Sequence, residues 1–345
     1  MKNDHSDDRS RMSMPGSVAL GSTGAHGRDL PLVVQAGSNQ MSGAQALASF
    51  WDENAEWLRS QLYQHGAILF RGFDISEQMF SHVSRHFGSE FLSYAGGNSP
   101  RTRLAAGIYT STEYPADYFI PLHNELSYTP SWPSRIFFCC ILEPKDGGQT
   151  PLLDSRVLLR NLPQDLMDEF KHRKIKYVRN LHGGIGFGRS WQQTFESTDR
   201  SVVEQHAALC DTEVRWNSDG SVSLSNVRPA TVIHSVTGEE VWFNQADQFH
   251  PSTIKVQTAK GAELYTSLMA AYARREDRLP QNVFFGDGQA IPLDYFEIIR
   301  RISQDCMVTF KWKKGDLLMV DNVLTAHGRM PFTGQRRILV SMTAD

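Results

Sequence analysis

The sequence has few cysteines, and they form no recognisable pattern. Only four occur among 345 residues, two of them adjacent at Cys139 and Cys140 within an apolar run. Neither the spacing of a zinc site nor a disulfide framework is present, and buried free thiols behave as small hydrophobic groups. The N-terminus also lacks the apolar stretch of a secretion signal. These absences predict a reducing, cytoplasmic location.

Strong charge and long apolar runs are missing as well. The net charge is −3 and the pI is near 6.5, so there is no electrostatic basis for binding nucleic acid or an acidic membrane surface. No apolar run approaches the roughly 20 residues that a membrane-spanning helix needs. We therefore expect no nucleic-acid partner and no membrane partner. The remaining composition, with 40% hydrophobic and 21% charged residues, is ordinary for a globular protein.

One domain is predicted behind a polar leader. Residues 1–28 are too polar to offset the entropy of ordering, so we expect a disordered leader and a single domain at 29–345. Helical periodicity is found at 44–63, 78–87, 157–171, 258–278 and 292–304. Apolar strand candidates lie at 66–73, 135–142, 149–153, 307–312, 316–321 and 337–342. The fold is therefore predicted to be mainly β with flanking helices.

Two histidines and a glutamate suggest a metal site. His123 and Glu125 are two residues apart, so on a strand both side chains leave the same face. His327 follows another apolar strand about two hundred residues later. Two histidines and one carboxylate are the ligand set of non-heme Fe(II) oxygenases, which leaves coordination positions open. The spacing alone fits an ordinary surface or core histidine better, but both histidines follow apolar segments.

These three residues can meet only if strands from the two ends of a long insertion are neighbours. An antiparallel jelly roll, the double-stranded β-helix of cupin-like proteins, brings such strands together and carries helices on its outside. The sequence therefore predicts a jelly-roll core with the metal site at one of its open ends.

A second group of residues could bind an anionic cosubstrate. Arg336 and Arg337 begin the last strand, and a guanidinium group suits a carboxylate because it can form two parallel hydrogen bonds. Neighbouring residues of a strand face opposite ways, so only one of the two can point inward. Thr150, just after two glycines, could donate a hydroxyl to the same carboxylate. A solvated basic pair is the alternative for the dipeptide alone.

Five segments resemble the taurine dioxygenase-like (TauD/TfdA) family of Fe(II)/2-oxoglutarate-dependent oxygenases. They occur in the family's order and cover nearly everything from residue 66 onward. The matching segments are GAILFRGFD at 66–74, IPLHNELSYT at 120–129, EPKDGGQTPLLDS at 143–155, GDLLMVDNVLTAHGRMPF at 315–332 and GQRRILVSM at 334–342. Further stretches, such as VWFNQADQFH at 241–250, resemble the SyrP-like hydroxylases of nonribosomal peptide assembly.

The resemblance implies a cofactor, two cosubstrates and a set of roles. His123, Glu125 and His327 would bind Fe(II), while O2 and 2-oxoglutarate would be consumed with release of succinate and carbon dioxide. Arg337 matches the arginine that binds the distal carboxylate of 2-oxoglutarate, with Thr150 as its hydroxyl partner and Arg336 as the alternative. Related halogenases replace the carboxylate ligand by a small residue, so Glu125 favours hydroxylation.

The subgroup resemblance also implies a substrate. It would be an amino acid, free or tethered to a peptidyl carrier protein, and hydroxylated at an unactivated C–H, the β-carbon by analogy, in secondary-metabolite biosynthesis. One alternative is a free small acid of the sulfonate or aryloxy type, but some relatives then carry a basic residue four positions after the arginine, where this chain has Ser341. Another is a non-catalytic cupin-like binding protein. Self-association into a homo-oligomer is left open.

Several other features are interpreted as structural. His182, His234 and His250 are expected to be surface or core histidines rather than further ligands. The glycine-rich stretch at 183–188 fits neither a dinucleotide-binding nor a P-loop spacing, and we expect a flexible loop or lid there.

Overall fold

The computed structural model describes residues 18–22, 29–37, 43–92, 97, 101–186, 188–272 and 278–344, with residues 18–22 described by their backbone alone. Its strands are β1 (Val18–Ser22), β2 (Leu32–Ala36), β3 (Ala67–Arg71), β4 (Glu90–Phe91), β5 (Arg103–Ala105), β6 (Ile108–Thr110), β7 (Ile120–His123), β8 (Arg135–Leu142), β9 (Asp146–Gly147), β10 (Leu152–Asp154), β11 (Ile175–Leu181), β12 (Glu213–Trp216), β13 (Val222–Arg228), β14 (Thr231–Ile233), β15 (Glu240–Trp242), β16 (Gln281–Phe285), β17 (Leu317–Asp321), β18 (Thr325–Arg329), β19 (Phe332–Thr333) and β20 (Arg337–Ala344).

The helices lie mostly outside the sheets. They are α1 (Ala44–His65), α2 (Glu77–Phe87), α3 (Ser155–Asn161), α4 (Gln164–Arg173), α5 (Trp191–Phe195), α6 (Arg200–Leu209), α7 (Ala246–Phe249), α8 (Ile254–Gln257), α9 (Gly261–Ala271) and α10 (Leu293–Cys306). Helix α1 confirms the predicted periodicity, because Leu47, Trp51, Leu58 and Leu62 are all buried. Among the described residues, no helix combines the length and apolarity that crossing a lipid bilayer requires.

A large sheet forms the centre of the protein. Its strand order is β1-β2-β3-β17-β8-β20-β6-β5, with β4 paired to β20, and apart from the parallel β2–β3 pair its neighbours are antiparallel. One face packs against α1 and α2 through residues such as Phe70 and Leu339. The other face, which includes Phe138 and Val340, packs against Leu152 of β10. Both faces are therefore buried, which explains the continuous apolar runs of its strands.

The second sheet of the core carries the histidines. Its order is β10-β18-β7, and His327 on β18 pairs with His123 on β7 and with Leu152 on β10. The two sheets face each other with helices outside, as in the predicted jelly roll. The insertion between β10 and β17 adds a third sheet, β12-β13-β11-β16, whose apolar side chains share a core with α4 and α10.

Four segments differ from the sequence predictions. The single helix predicted at 157–171 is broken at Leu162 and Pro163 into α3 and α4. Residues 18–22 of the predicted leader form β1, which pairs with β2 and so satisfies backbone groups of an exposed strand edge; residues 1–17 and 23–28 lie outside the described residues. Residues 307–312 form no strand, since Val308 makes only an isolated bridge to Leu152. The helix predicted at 258–278 begins earlier and is interrupted, giving α8 and α9, and residues 273–277 lie outside the described residues.

Candidate metal centre and cosubstrate pocket

The three predicted ligands come together. Glu125 Oε2 lies 3.9 Å from His123 Nε2 and 3.8 Å from His327 Nε2, and all three side chains are buried. Bonds from a metal ion to nitrogen or carboxylate oxygen are about 2.0–2.2 Å long, so donor atoms at these separations can share one ion after a small contraction. Among the described residues this is the one cluster of at least three histidine, cysteine or acidic side chains with such spacing. The donor set fits a ferrous ion with open positions.

The histidines are prepared for metal binding. His123 Nδ1 lies 2.9 Å from the carbonyl oxygen of Pro121, which favours a proton on Nδ1 and leaves the Nε2 lone pair directed at the site. Burial lowers the pKa of His123 and lowers that of His327 well below the usual value. Both rings are therefore held in the neutral form that a metal requires.

Glu125 is positioned by an asparagine that the sequence analysis missed. Asn322 is fully buried; its Oδ1 accepts from the Glu125 backbone N–H at 2.7 Å, and its Nδ2 donates to the Glu125 carbonyl at 3.0 Å. The next residue, Leu126, has a φ of 56°, a left-handed conformation that costs a leucine about 1–2 kcal/mol. Asn322 thus fixes the turn that follows β7 and with it the direction of the carboxylate.

We expect Asn322→Ala to weaken metal binding about 10- to 100-fold, the usual cost of losing a residue that orients a ligand. It should also lower the free energy of unfolding by about 1–3 kcal/mol, because the Glu125 backbone groups lose their buried partner. Titration with Co(II) and urea unfolding measure the two effects. Asn161→Ala, an exposed asparagine bonded within α3, is the matched control. Unchanged Co(II) affinity in Asn322→Ala would contradict this role.

Arg336 and Thr150 line a cavity beside the histidines. Arg336 donates to the Gly148 carbonyl and to Ser111 Oγ, and no described carboxylate pairs with it. Burial, and then the neighbouring Arg329, lowers the pKa of Arg336 to about 9. Thr150 Oγ1 accepts from the indole of Trp312, which leaves its own hydroxyl proton available. A partly buried guanidinium that has no acidic partner among the described residues, next to a hydroxyl that can donate, fits an incoming carboxylate.

Arg337 is placed differently from the expectation. Its guanidinium pairs with Glu77 of α2 on the outer face, where both side chains are more than 40% exposed. Along β20, Ile338, Val340 and Met342 face the inside while Leu339 faces α1 and α2, so alternation puts Arg336 inside and Arg337 outside. The assignment of the cosubstrate contact to Arg337 is therefore wrong in geometry, and the alternative, Arg336, occupies the pocket. If Arg336 is the cosubstrate arginine, the position four residues after it, where some relatives carry a basic residue, is Val340 rather than Ser341.

Two further arginines near the site gave no sequence signal. Arg329 is buried and donates to the carbonyls of four residues, Thr112, Tyr114, Pro115 and Tyr118, which fixes the segment before β7. Arg101 Nη2 donates to Glu125 Oε2 at 2.5 Å. Both line the same cavity as Arg336.

The other histidines serve the fold, as expected. His234 pairs with buried Asp321, and His250 stacks on Phe296 and bonds to Ser252. His182 is partly exposed, with Nε2 near the carbonyl oxygen of Gly188. None belongs to the metal cluster. The glycine-rich segment forms bends around His182, and its Phe187 lies outside the described residues.

A buried set of two histidines and one carboxylate matches the ligand set of non-heme iron oxygenases, and the partly buried arginine and the threonine beside it suit the carboxylate of a 2-oxo acid. The comparisons with known proteins agree. The chain belongs to the taurine catabolism dioxygenase TauD, TfdA family, whose model matches residues 28–343. It is a 2-oxoglutarate-dependent dioxygenase, with Fe(II), 2-oxoglutarate and O2 as the cofactor and cosubstrates of its family.

Two curated relatives share about a third of their residues with this chain. The dapdiamide synthesis protein DdaC of Enterobacter agglomerans is 34% identical over 282 residues, covering 81% of this chain and 83% of the relative. A clavaminate synthase-like protein of Arabidopsis thaliana is also 34% identical, over 299 residues, covering 83% and 84%.

Solved structures confirm the predicted fold. PvcB of Pseudomonas aeruginosa matches with a TM-score of 0.54 at 15% identity, covering 97% of this chain and 94% of that one. A taurine dioxygenase of Burkholderia xenovorans matches with a TM-score of 0.53 at 12% identity, covering 95% and 90%.

Proposed function

We propose that this dioxygenase hydroxylates an unactivated C–H bond of an amino acid, either free or attached to a carrier protein, during the synthesis of a secondary metabolite. The observation that carries the proposal is a shared cavity: His123 and His327 line it together with Arg336 and Thr150. The Glu125 carboxylate lies within 4 Å of both histidines. The names of two similar proteins support the biosynthetic setting, since one is a dapdiamide synthesis protein and PvcB is described as an oxygenase of an isonitrile synthetic pathway.

In this proposal each residue has a defined task. His123, Glu125 and His327 hold Fe(II), and bound iron supplies the activation of O2, coupled to the decarboxylation of 2-oxoglutarate to succinate. Arg336 binds the distal carboxylate of 2-oxoglutarate with a hydrogen bond from Thr150, which fixes the orientation of the cosubstrate. Phe138 and Val340 line the same cavity and exclude water from it. Glu125 occupies the position that chloride would need, which supports hydroxylation rather than halogenation.

A free sulfonate or aryloxy acid remains the second candidate substrate. The residue four positions after the inward arginine is Val340, which is apolar and lines the cavity. An acid bound at that strand position would meet no cation, so this candidate ranks below the amino acid. The non-catalytic alternative is set aside because the chain is a family member with an intact ligand set.

Anaerobic addition of Fe(II) and 2-oxoglutarate should produce a weak visible charge-transfer band, and oxygen should then yield succinate. Substrates are compared as free amino acids and as the same residues loaded on a peptidyl carrier protein, with a mass gain of one oxygen atom as the readout. A folded protein without the band overturns the oxygenase site. A band with no oxygenated product from either substrate set overturns the amino-acid proposal alone.

A further inference from the structure

The insertion between β10 and β17 reaches the metal centre through one glutamine, Gln248 of α7. Its Nε2 donates to the carbonyl oxygen of Pro121 at 3.3 Å, a contact between residues 127 positions apart. The same oxygen lies 2.9 Å from His123 Nδ1 and orients the imidazole ring. Gln248 and the candidate metal ligand therefore share one acceptor atom.

The carbonyl of Pro121 lies at an interruption of the β7–β18 ladder. Two residues of β7, Pro121 and Leu122, stand opposite the single residue Gly328 of β18, where the register shifts. Such a bulge disrupts the regular ladder, and a proline has no N–H to donate to it. Because the ladder alone does not fix the direction of this carbonyl, the donors that hold it are the side chains of His123 and Gln248.

The amide group of Gln248 is itself held in one orientation. Gln245 is buried, and its Nε2 donates to Gln248 Oε1 at 2.7 Å. This contact turns Nε2 of Gln248 toward Pro121, since the reverse orientation would bring two oxygen atoms together. The insertion also fixes the backbone around the glutamine: the Gln245 N–H donates to the Tyr177 hydroxyl at 3.0 Å, and Gln281 Nε2 donates to the Gln248 carbonyl at 2.8 Å. Strands β11 and β16 thus determine where the Gln248 amide lies.

The second histidine of the metal centre is held differently. Within the part of the chain that the structure describes, His327 Nδ1 is buried and has no hydrogen-bond partner. The hydrogen-bond chain from the insertion therefore ends on His123 and does not include His327. This difference provides an internal reference, because a change at Gln248 should affect one ring and not the other.

We infer, on the basis of the proposed function, that Gln248 is a positioning residue for the metal ligand His123. It holds the Pro121 carbonyl against His123 Nδ1, which fixes the tautomer and the direction of the ring from which Nε2 binds the metal. The group that accepts the second ring N–H of a metal-binding histidine sets the orientation of that histidine, and Gln248 acts one contact further out. The role of Gln245 and Gln248 in the 241–250 segment is then to support the metal centre rather than to contact substrate.

The test uses full-length protein with Co(II) in place of iron. A histidine that binds Co(II) through Nε2 gives a paramagnetically shifted proton signal from its Nδ1–H, outside the range of ordinary protein signals. We expect two such signals in the parent, one from each histidine. The signal that exchanges more slowly with solvent belongs to His123, because its Nδ1–H is hydrogen-bonded to Pro121.

Gln248→Met removes the donor and keeps the approximate shape of the side chain. The slower signal should shift and exchange faster with solvent, while the other signal keeps its position. The dissociation constant for Co(II) should rise about 3- to 10-fold, less than the about 10- to 100-fold cost of losing a group in direct contact with a ligand. Gln245→Met leaves the Gln248 amide in place but removes the contact that orients it. It should change the same signal in the same direction by a smaller amount.

Gln164→Met, which removes an exposed glutamine amide from α4, is the control and should match the parent in every measurement. Equal changes in both histidine signals would overturn the positioning role, because they would show a general loosening of the metal centre. An unaltered slow signal in Gln248→Met would overturn it as well. If the parent gives the Fe(II)–2-oxoglutarate band, these two results refute the role of Gln248 alone. A parent without the band and without shifted histidine signals refutes the proposed metal site, and the role of Gln248 with it.

Discussion

Arg336→Met should raise the dissociation constant for 2-oxoglutarate at least about 100-fold, while Arg337→Met should leave it within about twofold. Hydrogen bonds between a guanidinium and a carboxylate contribute about 1.5–3 kcal/mol, and about 2.7 kcal/mol corresponds to a 100-fold change. The effect is large because Arg336 lines the cavity beside His123 and His327, whereas Arg337 pairs with Glu77 on the surface.

The measurement is anaerobic titration of Fe(II)-loaded protein with 2-oxoglutarate, followed by the charge-transfer band. The two arginines are adjacent, so the variants have the same composition and differ only in which face of β20 loses its charge. Arg336→Lys should recover part of the affinity but not the paired hydrogen bonds of a guanidinium. Weak binding in Arg337→Met with normal binding in Arg336→Met would reverse the assignment.

The thermal stability of the Arg336→Met variant distinguishes a binding role for Arg336 from a structural role. Burial and Arg329 both lower the pKa of Arg336, so the charged form is disfavoured when no anion is present. Without the cosubstrate, Arg336→Met should therefore be at least as stable as the parent. An arginine retained only for folding would give the opposite result, a fall in melting temperature together with the loss of binding.

Each of the three candidate ligands could be selected from the sequence because each carries a local signal, although their meeting in space could not. The i, i+2 spacing puts His123 and Glu125 on one face of an extended segment. His327 follows an apolar strand, as His123 follows an apolar segment. Helix α1 could likewise be predicted from the spacing of its apolar residues. The pairing of β7 with β18 came from a fold hypothesis, since residues two hundred positions apart carry no spacing signal.

The choice between Arg336 and Arg337 could not be made in this way. A strand with one exposed face shows its inner side by alternation, but β20 is buried on both faces, and Ile338, Leu339 and Val340 are all apolar. The apolar sequence of β20 therefore does not show which face points into the cavity. The structure resolves the ambiguity because α1 and α2 cover the face that Leu339 and Arg337 share.

The residues that position the candidate ligands and line the cavity could not be predicted from the sequence, for a related reason. Asn322 and Glu125 are 197 positions apart, and an asparagine after a strand is an ordinary turn residue. Arg101 and Arg329 belong to no metal or anion motif, and only the three-dimensional structure brings them to the cavity. Contacts that orient a ligand depend on distances and directions, which composition and periodicity do not contain.

His327→Ala should abolish detectable iron binding and the charge-transfer band, with at least about a 100-fold loss of metal affinity. Loss of a residue that only orients a ligand already costs about 10- to 100-fold, so loss of a ligand must cost at least as much. Succinate formation should fall to background with it. His172→Ala, an exposed histidine on α4, is the control and should retain all three properties.

Glu125 needs a gentler substitution, because its removal has two effects. Glu125→Ala would take away a ligand and also leave Arg101 buried without this carboxylate, which can cost about 3–5 kcal/mol of stability. Glu125→Gln keeps the shape and an oxygen that Arg101 can bond, but it removes the negative charge that favours Fe(II). We expect Glu125→Gln to fold normally and to bind metal far more weakly than the parent.

The two variants together locate the site. His327→Ala leaves the Arg101–Glu125 pair intact, and Glu125→Gln leaves both histidines intact, so a shared loss of the band can arise only from the metal centre. If His327→Ala still gave the band, the metal would have to bind elsewhere. No other cluster among the described residues brings three such donor atoms within reach of one ion, so that result would contradict the whole assignment.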